Sequence, residues 1–270
     1  FGLMPFVVGI YEMQAATIDT ELAELFEAYY LEAYGQVLAV APQVHRVIPV
    51  NEAVRVDMAI EPYDSAEVIV DQGQAWAVQD CICRKQKALI GDPCDHPLDV
   101  CLVIGPAPGI FDHNPGMQAL NRDKAMDTLR RAADAGLVHS VSNNQAGHFY
   151  ICNCCTCSCG ILRGMADLGI ANVVARSSFV NQVDEELCHA CGSCLDACQF
   201  SALTLNDDAF IVAIDQMRCT GCGVCVPTCP EEALHLERRS AGEIKPPPER
   251  HKDWLIDRAQ ARGIDMQTVL

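Results

Sequence analysis

Cys188, Cys191, Cys194 and Cys198 follow the spacing C-x2-C-x2-C-x3-C, and Cys219, Cys222, Cys225 and Cys229 repeat it 31 residues later. The flanking residues repeat in step: Val183-Asp184 matches Ile214-Asp215, Ala202-Leu203 matches Ala233-Leu234, and Leu205 matches Leu236. Such a segment reads as two copies of one unit, each a cysteine loop between short strands. Two-residue gaps let a tight loop wrap a compact inorganic core while backbone N–H groups point at the sulfurs. Gly192, Gly221 and Gly223 permit the close approach and the positive φ this requires. Zinc prefers two separated C-x2-C knuckles and has no use for a third and fourth cysteine in each run. Thiolates at this density match iron–sulfur clusters.

The stretch resembles the bacterial two-cluster ferredoxin domain over most of residues 181–240. The resemblance implies crossed ligation, in which three cysteines of one run and the last of the other share a cluster. Cys188, Cys191, Cys194 and Cys229 would then hold one [4Fe–4S] cluster, and Cys219, Cys222, Cys225 and Cys198 the second. The second run ends Cys229-Pro230 as the family does, but the first ends Cys198-Gln199. Proline is a turn device there and not a ligand, so its loss exposes that end and leaves the ligand set intact.

The whole chain has 17 cysteines. An odd count in tight clusters fits disulfides poorly, because near neighbours rarely have the geometry to bridge. A reducing cytoplasm, in an anaerobe, is the expected setting. Two further groups lie upstream of the repeat. Cys81, Cys83, Cys94 and Cys101 follow C-x-C-x10-C-x6-C, and Cys152, Cys154, Cys155, Cys157 and Cys159 put five thiols into eight residues. On an extended strand such thiols divide between opposite faces, so the second segment either coils around one cluster or serves two sites. Two clusters use eight cysteines and leave nine, enough for a third and a fourth [4Fe–4S] cluster. A zinc site or inert buried thiols are the alternatives. The segments Asp80–Lys87, Cys94–Cys101 and Ile151–Gly160 resemble those of anaerobic multi-cluster ferredoxin-type proteins, which carry a Cys-x-Cys-Arg motif, a cysteine-rich middle and a two-cluster C-terminal domain. That resemblance implies redox work and names no substrate. Arg84, Lys85 and Lys87 read as a solvated basic patch, with offsetting cluster charge as the second reading. The eight histidines show no metal spacing, although His189 lies inside the first cluster loop.

The expected fold is α+β: a two-cluster ββ/α repeat preceded by a mixed α/β N-terminal region with cysteine-rich loops. The divisions fall at 1–80, a helical or mixed region; 81–180, a cysteine-rich middle; 181–240, the ferredoxin-like repeat; and 241–270, a Pro-rich linker and helical tail. Asp19 can cap a helix over 20–34 that Gly35 ends, and Ser65 a helix over 66–78. Residues 36–60 read as short strands or extended chain. Residues 81–101 read as a loop. Asn121 can cap a helix over 122–135, and residues 137–141 and 148–152 flank a turn as a hairpin. Helix plus hairpin resembles a winged-helix element, but an ordinary packing unit is favoured. A short helix over 161–168 ends at Gly169. Pro246-Pro247-Pro248 is a stiff spacer, and the last twenty residues form a helix around Trp254 and Leu255 that wraps a partner or frays.

The formal net charge of −17 repels phosphate backbones, which argues against nucleic acid and suits docking on a basic protein patch. There is no apolar run of ~18 residues, hence no expected membrane span. The first ten residues, apolar but broken by Gly2, Pro5 and Gly9, lack the basic start of a secretory signal. Three functions compete. The first is an electron-transfer subunit or carrier that passes single electrons to or from a catalytic oxidoreductase partner and has no activity alone. The second is an enzyme with a site-differentiated cluster in the Cys81–Cys159 region. The third is a redox-sensing regulator.

Overall fold

The computed structural model describes residues 6–206 and 211–265. Asp19 accepts the N–H of Leu22 at 2.9 Å and starts α1 (Thr20–Tyr29). The helical path does not stop at Gly35. It runs through a wide turn at Tyr30–Tyr34 into α2 (Gly35–Leu38), with Gly35 in the right-handed helical region. Glycine is needed there for packing, since a Cβ would sit 2.6 Å from Leu168 Cδ1. Of residues 36–60 only β1 (His45–Val47) is a strand. Ser65 caps α3 (Ala66–Asp71) as expected, but this helix ends early. Residues 75–79 form β2 (Ala75–Gln79) instead, because Gly73 breaks the helix and Trp76 Nε1 turns back to the Val70 carbonyl at 2.9 Å.

The expected loop at 81–101 opens with a helix and is irregular only after it. Arg, Lys, Gln, Ala and Leu are strong helix formers, and they build α4 (Ile82–Leu89) behind Cys81. There follow β3 (Cys101–Gly105), β4 (Gln118–Leu120) and α5 (Arg122–Asp134), the last capped by Asn121 as expected. Strands β5 (Val138–Ser142) and β6 (Tyr150–Cys154) form the expected hairpin, and α6 (Arg163–Leu168) ends at Gly169 in the left-handed region. These strands join one antiparallel sheet in the order β1-β5-β6-β3-β2-β4. The hairpin is therefore flanked by a strand on each side and is not a free wing. One face of the sheet, with Ile48, Leu102, Val141 and Ile151, packs under Ile69, Val70, Ala125 and Leu129 of α3 and α5. The other face meets the repeat.

The repeat is built from β7 (Phe179–Val183), α7 (Ser193–Ala197), β8 (Leu203–Asn206), β9 (Ile211–Ile214) and β10 (Leu234–Arg238). Strand β7 pairs with β10, and β8 with β9, both antiparallel. Each unit's first strand thus pairs with the other unit's last. The sheet and the repeat share one core: Val47, Val50, Ala53, Val138 and Ile161 pack with Phe179, Phe200, Val224 and Leu236. The tail helix α8 (His251–Ala261) docks on its own chain. Trp254 Nε1 donates to the Gln43 carbonyl at 2.8 Å, and Arg258 donates to the carbonyls of Val37 and Pro42, each at 2.7 Å. The Pro-rich stretch lies on the β5–β6 turn through Gln145, which donates to the carbonyls of Pro247 and Pro248. Residues 266–270 of the expected tail lie outside the described residues. Among the described residues no helix is long and apolar enough to cross a membrane.

A fully buried ion pair fastens this junction. Arg46 Nε on β1 meets Asp64 Oδ1 at 2.8 Å, with the side chains 2% and 0% exposed. The other carboxylate oxygen accepts Ser178 N–H at 3.1 Å, just before β7. Removing one member of such a pair leaves a buried charge without its counter-charge. Asp64→Ala should therefore lower unfolding free energy by about 3–5 kcal/mol. Arg130→Ala, whose partner Asp127 is exposed, should leave it unchanged within error. Anoxic urea titration followed by far-UV circular dichroism distinguishes the two.

Candidate metal centres

The two cysteine runs are superimposable in their hydrogen bonding. Asp184 N–H and Asp215 N–H donate to the carbonyls of Ala233 and Ala202, both at 2.8 Å. The carbonyls of Asp184 and Asp215 then accept the N–H of Cys188 and Cys219 at 3.0 and 2.9 Å, which starts each cysteine loop at the same turn. At the other end, Ala202 N–H donates to Cys198 Sγ and Ala233 N–H to Cys229 Sγ, both at 3.3 Å. Left-handed residues recur 31 apart as well: Ala190 with Gly221, Gly192 with Gly223, and Ser201 with Glu232. The turn that wants glycine is thus filled by alanine in the first run.

One pocket is lined by Cys188, Cys191 and Cys194 of the first run and Cys229 of the second, with His189 and Glu231 at its edge. Cys191 is exposed there. The complementary thiols, Cys219, Cys222, Cys225 and Cys198, act electrostatically on one another and face inward. Val50 N–H donates to the Cys222 carbonyl at 2.9 Å, and Asn181 Nδ2 lies 3.1 Å from Cys225 Sγ. Burial pushes the Cys194 thiol up to about 11 and Cys222 up to about 12. Thiolates at these positions need a cation beside them, which is what a bound metal supplies.

Upstream, the structure regroups the nine remaining cysteines. Cys81, Cys83, Cys101, Cys152, Cys154 and Cys159 line one buried cavity of about 50 Å³, together with Tyr11, Arg84 and, at its border, Cys155. Their thiols lie in hydrogen-bonding reach in succession: Cys101 with Cys81, Cys81 with Cys83, Cys83 with Cys159, Cys159 with Cys154, and Cys154 with Cys152. Cys81 and Cys83 sit at the N-terminus of α4, whose dipole favours thiolate. Cys152 and Cys154 share one face of β6, where their side chains point away from α5. Cys94, expected with Cys81, Cys83 and Cys101, instead joins Cys155 and Cys157. The cysteines of the Cys152–Cys159 segment are thus divided between two thiol groups.

Histidine also contributes, although no sequence spacing revealed it. His45, Cys152 and Cys154 bring ligand atoms within 4.8 Å of one another, and so do Cys94, His96, Cys155 and Cys157. His45 Nδ1 lies 3.1 Å from Ser140 Oγ, while its buried Nε2 has no hydrogen-bond partner. Burial lowers this imidazole to about 3, so it is neutral and able to ligate. The only sequence hint of His96 was its place two residues after Cys94. Arg84, expected in a solvated basic patch, is buried instead. It is 2% exposed, and it donates to the carbonyls of Pro97 at 2.7 Å and Asn153 at 2.8 Å, between the two cysteine groups. Lys85 reaches the Ala15 carbonyl and Lys87 pairs with Asp92.

Gln199, which stands where the second run has proline, joins the two halves. Its Oε1 accepts Thr156 N–H at 2.7 Å and its Nε2 donates to the Gly136 carbonyl. It touches the turn between Cys155 and Cys157, so this end of the repeat is covered and not opened by the exchange.

Residues 187–233 match the 4Fe-4S dicluster domain family. No curated protein and no solved structure matches the chain.

Left-handed glycines of the two runs have unequal surroundings. A Cβ on Gly221 would lie 2.0 Å from the Phe179 carbonyl oxygen and 2.3 Å from Ser177 Oγ, whereas one on Gly192 would meet nothing within 4 Å. Gly192→Ala should cost about 1 kcal/mol, the strain of positive φ alone. Gly221→Ala adds a backbone clash and should cost about 3 kcal/mol or more, with iron lost from the purified protein. Iron per chain and the anoxic urea midpoint of each variant provide the check.

Proposed function

We propose that the chain is an iron–sulfur electron-transfer protein or subunit, passing single electrons between a donor and a catalytic oxidoreductase partner. The observation that carries this reading is the pocket ringed by Cys188, Cys191, Cys194 and Cys229, drawn from both runs. It supports crossed ligation, with Cys219, Cys222, Cys225 and Cys198 holding the second [4Fe–4S] cluster. When bound, such clusters supply reversible one-electron chemistry, tuned by charge, burial and N–H···S bonds.

The protein's own residues set the direction and the tuning. The Cys191 end is exposed, so it is the face on which a partner docks. The Cys222 end abuts Val50 and the sheet, so it is the face toward the six-thiol cavity. N–H groups of Ala202, Ala233 and Asn181 aimed at thiol sulfurs would stabilise the more negatively charged, reduced cluster and so raise its potential. The six-thiol cavity is read as a further iron–sulfur centre. Six thiols and His45 exceed the four ligands of a cubane, which speaks against an open iron and hence against independent catalysis. The regulator reading loses its wing, since β5 and β6 lie inside a sheet. Residues 181–240 act as the dicluster unit in this scheme. The acidic surface around Cys191, with Asp196 and Glu231, suits a basic docking face on the partner. A reducing, anaerobic cytoplasm is the environment such exposed thiols need.

The test is iron and acid-labile sulfide per chain in anoxically purified protein, with EPR of the reduced form. About eight irons for the repeat, plus further iron for the cavity, is the expected content. Cys191→Ala should remove one cluster signal of the repeat and leave its partner, and Cys222→Ala the converse. Zinc in place of iron in the repeat overturns the reading. Electron transfer from the reduced protein to a basic haem protein should slow as salt rises, because screening weakens attraction between opposite charges.

A further inference from the structure

We propose that Cys94, His96, Cys155 and Cys157 form a mononuclear tetrahedral zinc site that adjoins the six-thiol cavity at Cys155. The proposal goes beyond the electron-transfer reading and needs none of it. Cys94 and His96 lie on the loop that follows α4, and Cys155 and Cys157 on the turn that follows β6. All four ligand atoms lie within 4.8 Å of one another.

That spacing discriminates between metals. With Zn–S near 2.3 Å and Zn–N near 2.0–2.1 Å, a tetrahedron puts two sulfurs about 3.8 Å apart and a sulfur and a nitrogen about 3.6 Å apart. Cys157 Sγ lies 3.7 Å from His96 Nδ1. A cubane holds each thiolate on a different iron, around an eight-atom core, and cannot gather four ligand atoms so closely. The thiols around the Cys188–Cys229 pocket form no group as close as this one. Three thiolates and one imidazole are also a recurrent donor set of structural zinc.

The surroundings are those of a built site. Ser158 Oγ lies 3.3 Å from Cys94 Sγ, so its hydroxyl can donate to a thiolate there. Three thiolates on a dication leave one net negative charge. Arg84 is buried beside it, bonded to the carbonyl that follows His96 and to the one two residues before Cys155. The guanidinium thus offsets the residual charge and ties together the two loops that carry the ligands.

Zinc has no redox chemistry, so the site is a clamp. It fixes the turn that delivers Cys159 to the six-thiol cavity on one side and receives Gln199, next to Cys198, on the other. Its loss should loosen the docking of the repeat on the sheet without removing the clusters' own ligands.

The test is metal analysis of the full chain, produced in iron-replete medium and purified without oxygen. About one zinc per chain is expected beside the iron, with zinc X-ray absorption showing three sulfurs near 2.3 Å and one nitrogen near 2.0–2.1 Å. The double variant His96→Ala/Cys157→Ser should lose at least nine-tenths of the zinc and keep its iron and sulfide; both sites lie toward the surface, and retained dicluster EPR shows that the protein has folded. Absence of zinc from the wild type, retention of zinc by the variant, or a loss of about four irons in place of zinc each overturns the proposal. The dicluster EPR is read in the same sample, so failure of the electron-transfer reading appears separately.

Discussion

A thiolate in an apolar interior is tolerable only beside positive charge, and this chain buries or half-buries fifteen of its 17 cysteines while carrying a formal charge of −17. Without a cation, burial and mutual repulsion hold most of these thiols protonated, as at Cys222 and Cys225, where burial is the largest cause. Metals reverse that balance, because each ligand becomes more stable ionised than protonated. The folded state of the cysteine-rich regions is therefore coupled to metal content. Arg84, a buried cation among the upstream thiols, has the position this demands: between the two groups, with its guanidinium held by two backbone carbonyls.

The repeat solves the same problem by symmetry. Pairing β7 with β10 and β8 with β9 interleaves the two units, so that Cys229 is carried into the first run's pocket and Cys198 lies near the thiols of the second run. Equivalent turns then require equivalent left-handed residues, and the chain supplies them even with alanine, serine and glutamate. The symmetry ends at the packing. The second run lies against Val50, Ala53, Ser177 and Phe179, where Gly221 and Gly223 leave no room for a side chain. The first run faces outward, where Ala190 is accommodated. One end of the repeat is thereby buried against the sheet and the other is free for a partner.

Local signals were legible in the sequence. Asp19, Ser65 and Asn121 cap the helices they were expected to cap, because an N-cap acts within one turn. The hairpin followed from its turn residues, and the repeat from its spacing. What failed was local inference where tertiary packing decides. Gly35 does not end its helix, since its missing side chain makes room for Leu168. Residues 82–89 are helical although the Pro, Gly and Asp of residues 81–101 point to a loop, because those breakers lie after Leu89, and the Lys, Gln and Ala of 82–89 favour helix. The grouping of thiols was beyond reach of spacing alone. Cys94 leaves Cys81 and Cys83 for Cys155 and Cys157, and His45 and His96 join thiols that are remote in sequence, because strand order brings β1, β3 and β6 together after the chain has wound back on itself.

Gln199 shows how one departure from a repeat can carry architecture. At the matching position Pro230 has no N–H and no side-chain donor, so it can only turn the chain. Glutamine at the same turn reaches out in two directions, to Thr156 N–H and to the Gly136 carbonyl. Gly136 lies just before β5 and Thr156 just after β6, the strand that carries Cys152 and Cys154 into the cavity and leads on to Cys155 and Cys157. The Cys198 end of the repeat is thus bonded through one side chain to the backbone between two upstream cysteines. Shared core packing holds the repeat on the sheet, and this polar contact fixes its register, so that the inner thiols of the repeat and the upstream cysteine groups keep a constant relation to one another.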